Sequence, residues 1–147
     1  MSVVERVEAI FEEVRSKHLR VANASLSGYL DEFADRCRYI KVGLGKWPWV
    51  IRIDINVAGG GHTITEFIDV SLLASKIMSE LTGMIKSMFA GDELVQAATM
   101  LLVKYISLPW DLRRELLRHI DDYLERRGFD GYKIPEEEEA RIYIRKE

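Results

Sequence analysis

The chain has 147 residues, of which 48% are apolar and 31% are charged, and its formal net charge is −3. This length predicts a single domain, residues 1–147, that can bury about 70% of its unfolded surface without disulfides or metals. The slightly acidic net charge gives no overall reason to expect an acidic partner such as nucleic acid, so any basic site has to be local.

The cysteine content and the hydropathy of the chain indicate its cellular compartment. The only cysteine is Cys37, which excludes an intrachain disulfide and a cysteine-based zinc cluster and suits a reducing compartment. The N-terminal segment carries acidic residues instead of a signal-peptide core, and no segment reaches the ~18 uncharged apolar residues of a membrane span. We therefore expect a soluble, cytoplasmic protein. Amide residues are few beside abundant Glu, Lys and Arg, a composition typical of thermophiles.

Two helices are predicted before residue 39. Apolar residues at helical spacing indicate an amphipathic helix over 3–21. The segment NASLSG interrupts this pattern, and apolar residues at helical spacing from Leu26 to Cys37 then predict a shorter second helix that ends near Arg38. Cys37 lies on the apolar side of that helix, which favours a buried structural thiol.

The hydrophobic period changes to two in the next segment. Ile51, Ile53 and Ile55 alternate with more polar residues, which predicts a strand over 49–57 with one buried face. The segment 39–44 predicts a partner strand, and GKWP between the two provides a turn. A β-hairpin is therefore expected.

The longest apolar segment without proline, 66–90, predicts a central helix that is covered on more than one side. Thr63 and Glu66 are spaced as a capping box at its N-terminus. Small residues recur every four positions along this helix, and such a ridge lets another helix approach closely, either within the chain or from another subunit. The residues of this small-residue ridge are Ser71, Ser75, Ser79, Gly83 and Ser87.

Two further helices are predicted after the central one. AGDE turns the chain, with Asp92 as the N-cap of an uncharged apolar helix over 93–106. Pro109 then starts a last helix, which Gly128 ends as the C′ residue of a Schellman cap.

The C-terminal segment is compatible with two structures. Alternation over 141–145 favours a third strand beside the hairpin, whereas Pro135 followed by four glutamates would start a helix. We predict the strand. Together the elements predict a mainly helical α+β fold, with about five helices around the central helix 66–90 and a small antiparallel hairpin or three-stranded sheet.

One segment, 38–52, is locally basic, contains no acid before Asp54 and interleaves aromatic residues. Cations contact phosphates and exposed rings stack on unpaired bases, so this hairpin is a candidate nucleic-acid interface. The same residues equally suit a structural role, with Trp49 in the core and cations along an edge strand. The candidate nucleic-acid-binding residues are Arg38, Lys41, Lys46, Trp47 and Arg52.

No set of residues stands out as catalytic or metal-binding. His62, Glu66 and Asp69 are spaced like ligands on a helix, but capping and helix-dipole roles account for the two acids. The glycine-rich loop before the central helix lacks the nucleotide-binding motifs. His18 and His119 have no nucleophile or acid at triad spacing. We therefore expect no enzymatic activity, no metal and no cofactor.

The function expected from the sequence is that of a non-catalytic subunit that self-associates or docks into a larger assembly. The apolar surplus from Phe67 to Ile106, together with the small-residue ridge, indicates more apolar surface than the outer helices can cover. The alternative is binding of RNA or DNA by the hairpin 38–52, as in a ribonucleoprotein, viral or chromatin-type subunit. A membrane partner is not expected.

Overall fold

The computed structural model describes residues 1–44, 49–57, 61–135, 137 and 140–146. Within these residues the chain forms three helices and a five-stranded antiparallel sheet. The helices are α1 (Val3–Phe33), α2 (Val70–Met88) and α3 (Gly91–Arg126). The strands are β1 (Cys37–Leu44), β2 (Val50–Val57), β3 (Thr63–Asp69), β4 (Phe129–Lys133) and β5 (Arg141–Arg145).

The two long helices, α1 and α3, run side by side in the same direction. The Lys104 ammonium lies 4.8 Å from the centroid of the Phe11 ring, and further along both helices Ser27 Oγ lies 2.7 Å from His119 Nε2. The second half of α3 packs on the sheet, where Phe129 at the start of β4 is fully buried. α1 and α3 therefore connect a helical end of the molecule to a sheet end.

The shorter helix α2 runs antiparallel to α1. Lys17 Nζ lies 2.7 Å from the Glu80 carboxylate, while the Arg6 guanidinium lies 4.6 Å from the ring centroid of Phe89, the residue that caps the end of α2. Together, α2 and the first halves of α1 and α3 form a three-helix bundle. In this bundle, each helix leaves one face open to solvent.

The sheet has the strand order β3-β2-β1-β5-β4. On its central strand, Ile40 lies opposite Ile55 of β2 and Tyr143 of β5, and at most 2% of each of these side chains is exposed. Because side chains alternate along a strand, one face packs against the helices and the other is left open. The open face carries Lys41 and Arg52.

The predicted fold class is wrong in its element count, although the α+β class holds. The structure has three helices instead of about five, and five strands instead of two or three. The helices predicted over 3–21 and 26–38 are the single helix α1. Leu19, Leu26 and Leu30 are all buried at helical spacing through NASLSG, so packing of this face outweighs the weak helix propensity of that segment.

The helices predicted over 93–106 and from Pro109 are likewise the single helix α3. A proline normally ends a helix because it lacks an N–H group. Here Leu108 and Leu112 are fully buried on either side of Pro109, and their packing outweighs the lost hydrogen bond. The N-cap of α3 is Ala90 and not Asp92, which lies in the first turn where its charge favours the helix dipole.

The predicted central helix begins later than expected, because its first residues belong to β3. Helix α2 starts at Val70, and Asp69 is its N-cap, accepting a hydrogen bond of 3.1 Å from the Leu72 N–H. The predicted capping box of Thr63 and Glu66 is therefore wrong. Both residues pair with β2. The apolar residues of this segment have mixed spacing, and the edge of the sheet supplies hydrogen-bond partners for its backbone N–H and C=O groups.

The predicted hairpin and the predicted C-terminal strand are confirmed. β1 and β2 pair antiparallel, and β5 pairs with the other side of β1. The turn GKWP between β1 and β2 lies outside the described residues. Cys37, predicted on a helix, starts β1 instead; it is buried, and burial raises the pKa of its thiol.

Candidate functional site

The outer face of the first half of α3 is apolar and exposed. The opposite face of the same segment is in the core, where Ala97, Leu101 and Leu108 are at most 3% exposed. On the outer face, five large apolar side chains are between 48% and 75% exposed. These residues, here named the α3 apolar patch, are Val95, Leu102, Val103, Ile106 and Trp110.

The patch follows from the composition of this segment. LVQAATMLLV contains no charge and places apolar residues on every side of the helix. A helix that is apolar all round is normally covered all round. α1 and α2 cover one side of this segment, and the described residues leave the other side in solvent. Contiguous exposed apolar surface of this kind marks interaction sites in soluble proteins.

One end of the patch is held in a defined orientation. The Trp110 ring lies edge-on to that of Trp49, with centroids 4.4 Å apart, and the Arg113 guanidinium lies 4.6 Å from the Trp110 centroid. Arg113 is itself only 6% exposed. A ring fixed on two sides loses little conformational entropy when a partner covers its remaining surface.

The small-residue ridge faces solvent on α2. Four of its members are exposed and Ser71 is partly buried, and a Cβ built on Gly83 would meet no atom within 4 Å. The ridge is therefore accessible to a partner helix. Its own side chains, however, offer far less apolar surface than the α3 apolar patch. The interface predicted from the sequence lies on α2, because hydrophobic spacing does not distinguish the outer face of α3 from its core face.

Two of the candidate nucleic-acid-binding residues meet on the open face of the sheet. Lys41 on β1 and Arg52 on β2 both point away from the helices. Each is next to an acid, with Lys41 Nζ 3.0 Å from Glu137 Oε1 and Arg52 Nε 3.1 Å from Asp54 Oδ1. These acids lower the positive potential that the two cations offer to a phosphate.

The remaining candidates of that set are less well placed. Arg38 is exposed beside a β-bulge, and Lys46 and Trp47 lie outside the described residues. The open face does carry aromatic residues that were not predicted there. Phe67 on β3 is 56% exposed, and the Arg52 guanidinium lies 6.0 Å from its ring centroid. Phe67 fits the apolar spacing of the predicted central helix, so hydrophobic spacing does not place it on a strand.

The ligand-like spacing of His62, Glu66 and Asp69 has no counterpart in the structure. Glu66 and Asp69 lie on β3 and His62 directly precedes it. Glu66 and Asp69 are three residues apart and therefore point to opposite faces of the strand, because strand side chains alternate with a period of two.

Among the described residues, one group of acids lies close enough to share a cation, on the second half of α3. Its members are Asp121, Asp122 and Glu125. Asp121 already accepts a hydrogen bond of 2.9 Å from Tyr143 Oη and one of 3.2 Å from Arg141 Nη1. These bonds join α3 to β5, so the acid has a structural role.

His18 and His119, for which no catalytic partner is predicted, also have structural contacts. Burial lowers the pKa of His119, and its Nε2 lies 2.7 Å from Ser27 Oγ, which joins α3 to α1. His18 Nε2 lies 3.4 Å from a Glu80 carboxylate oxygen, between α1 and α2. Both contacts join neighbouring helices.

Comparison of the chain with protein family models, curated proteins and solved structures found no match. In the part of the chain that the structure describes, none of the helices combines the length and hydropathy needed to span a membrane. The function is therefore inferred from the geometry of the described surfaces.

Proposed function

We propose that this chain is a non-catalytic assembly subunit that self-associates through the α3 apolar patch. One observation carries the proposal: α3 has a core face and, opposite it, a second apolar face that is 48% to 75% exposed at each of five side chains. The patch contains no charged side chain that association would have to desolvate.

The energetics are compatible with association. Complete burial of a Val, Leu or Ile side chain contributes roughly 1.5–3 kcal/mol. A dimer that pairs two patches covers such side chains from both copies. The sum is of the same order as the roughly 4–15 kcal/mol cost of lost translational and rotational freedom, and the rigid helix adds little ordering cost.

Light scattering over a dilution series tests the proposal. Wild type is expected to have the molar mass of a dimer or larger species. Leu102→Glu places a charge in the middle of the patch and should weaken association at least ~100-fold, since central apolar contacts are typical hot spots. The matched control is Val21→Glu on α1, because Val21 and Leu102 are both 68% exposed.

Three results bear directly on the proposal. Loss of association in Leu102→Glu, with retention in Val21→Glu and unchanged helix content by circular dichroism, supports it. A wild type that is monomeric throughout the series contradicts it. Association that survives Leu102→Glu but is lost in Ser79→Leu also contradicts it, and assigns the interface to the small-residue ridge on α2.

A second candidate function is single-stranded nucleic-acid binding on the open face of the sheet. The observation that favours it is the pairing of Arg52 with the exposed ring of Phe67 in the same register position of β2 and β3. An exposed ring can stack on a base at about 1–3 kcal/mol while the neighbouring cation contacts a phosphate.

Fluorescence anisotropy with a labelled single-stranded oligonucleotide tests this second candidate. Phe67→Ala should weaken binding about 10-fold or more, and Arg52→Ala should also flatten its dependence on salt. Arg118→Ala, an exposed arginine on α3, is the control and should bind as wild type does. The absence of wild-type binding at low salt would exclude this function.

A further inference from the structure

The α3 apolar patch and Thr99 together have the same residue spacing when they are read in either direction. With Thr99, which lies on the same face, its members are separated by four, three, one, three and four residues. A stripe with this property is complementary to itself when two copies of the helix run antiparallel. Each side chain of this stripe then lies opposite a side chain of the same stripe in the second copy, as a two-fold interface requires.

We infer that the patch binds the α3 helix of a second copy of this chain, antiparallel, with the two-fold axis between Leu102 and Val103. This inference rests on the proposed function and specifies its partner and geometry. Leu102 then lies opposite the Val103 of the second copy. Because this axis is a closed two-fold, the assembly stops at a dimer and does not continue as a filament.

The side chains that meet in this register complement one another in size. The small Val95 lies opposite the large Trp110 of the second copy, and Thr99 lies opposite its Ile106. Antiparallel helices pack at 8–10 Å between axes when large side chains face small ones. The orientation of Trp110, fixed by Trp49, leaves its exposed side available at each end of the dimer.

The charges at the two ends of the patch also favour the antiparallel arrangement. Asp92 and Glu93 occupy the exposed first turn of α3. Arg114 is exposed one turn beyond Trp110, where its Nη1 also lies 3.5 Å from Oδ1 of Asp111 in the same chain. Asp92 and Arg114 lie at nearly equal distances from the proposed axis, so each acid approaches the arginine of the second copy. A parallel pair would instead bring the acids of both copies together and align the two helix dipoles.

Disulfide cross-linking under mild oxidation tests the register. Leu102→Cys places a thiol beside the axis, where the two copies are within disulfide reach. In a dimer of the Val95→Cys variant, the two introduced thiols lie at opposite ends of the paired helices, about 20 Å apart along the helix axes. Val95→Cys mixed with Trp110→Cys should form a disulfide only between the two variants. Cys37 is buried, and unmodified protein gives the background.

The expected result is at least ten-fold more covalent dimer for Leu102→Cys than for Val95→Cys, and a covalent dimer in the Val95→Cys and Trp110→Cys mixture. Efficient cross-linking of Val95→Cys with itself would indicate parallel helices and overturn the inference while leaving self-association intact. A chain that light scattering shows to be monomeric would overturn both the inference and the proposed function.

Discussion

The indole rings of Trp49 and Trp110 meet edge to face, with centroids 4.4 Å apart. Trp49 directly precedes β2, and its carbonyl accepts a hydrogen bond of 2.8 Å from the N–H of Val70, the first residue of α2. Trp110 is the last residue of the α3 apolar patch. This one ring pair therefore joins the sheet and the start of α2 to the proposed interface.

A double-mutant cycle on this ring pair should show coupling. Trp49→Leu and Trp110→Leu each remove one ring, and the double variant should be less destabilised than the sum of the two by about 0.5–1.5 kcal/mol. Urea unfolding measures this at one fixed protein concentration, because the apparent stability of any protein that self-associates depends on its concentration. Strict additivity would mean that the ring pair contributes no energy beyond its buried area.

Two glycines allow a matched test of backbone conformation. Gly91 has a φ of +58°, whereas Gly83 lies within α2, and an added Cβ would meet nothing within 4 Å at either position. Gly91→Ala should destabilise the fold by about 1–2 kcal/mol, because an L-residue is strained at positive φ. Gly83→Ala should stabilise it by about 0.5–1 kcal/mol through helix propensity. Urea unfolding compares them, and shifts of the same sign would be inconsistent with this assignment.

The parts of the fold that could be predicted are those in which local pattern and tertiary structure agree. The alternation of Ile51, Ile53 and Ile55 indicated β2, and all three face the core as expected. The end of α3 was predicted from Gly128, which has a φ of +89° and donates a hydrogen bond to the carbonyl of Glu125. In each case the residue type suits the backbone found there, because β-branched isoleucine favours strands and glycine adopts a positive φ without strain.

The errors arose where packing outweighs local preference. NASLSG and Pro109 are weak helix formers, yet both lie inside helices that bury leucines on either side. The sequence does not single out the α3 apolar patch, for a related reason. Hydrophobic spacing shows that α3 has apolar residues on every face, but it does not show which face its neighbours cover. Only the packing of α1 and α2 separates Leu101 in the core from Leu102 in the patch.

Tyr143 should contribute to stability through its buried hydroxyl. It is 2% exposed, and its hydroxyl donates a hydrogen bond of 2.9 Å to Asp121. Tyr143→Phe leaves that carboxylate without this donor and should cost about 1.5–3 kcal/mol in urea unfolding at pH 7. Tyr132→Phe on the neighbouring strand is the control, because that side chain is exposed on the open face.

The same tyrosine should give the fold a dependence on alkaline pH. Burial, and then the hydrogen bond to Asp121, raise the pKa of Tyr143 above its usual value. The folded state therefore holds the phenol proton more tightly than the unfolded state does. This contribution is fully present below pH 10 and is lost as the pH rises further. Wild type should lose stability more steeply above pH 10 than Tyr143→Phe, and equal slopes would contradict the assignment.

The N-cap of α2 should produce the opposite dependence, at acidic pH. Asp69 accepts hydrogen bonds from Ser71 Oγ at 2.6 Å and from the Leu72 N–H, and these bonds lower the pKa of its carboxyl. Its contribution is present above an unfolded pKa of about 3.9 and is lost as the pH falls through the lower folded value.

Asp69→Ala should cost about 1 kcal/mol at pH 7. Since asparagine caps helices equally well, Asp69→Asn should unfold in urea as wild type does at pH 7 but should not share its loss of stability near pH 3. An Asn variant as unstable as the Ala variant at pH 7 would show that the charge, and not the cap, is what α2 requires.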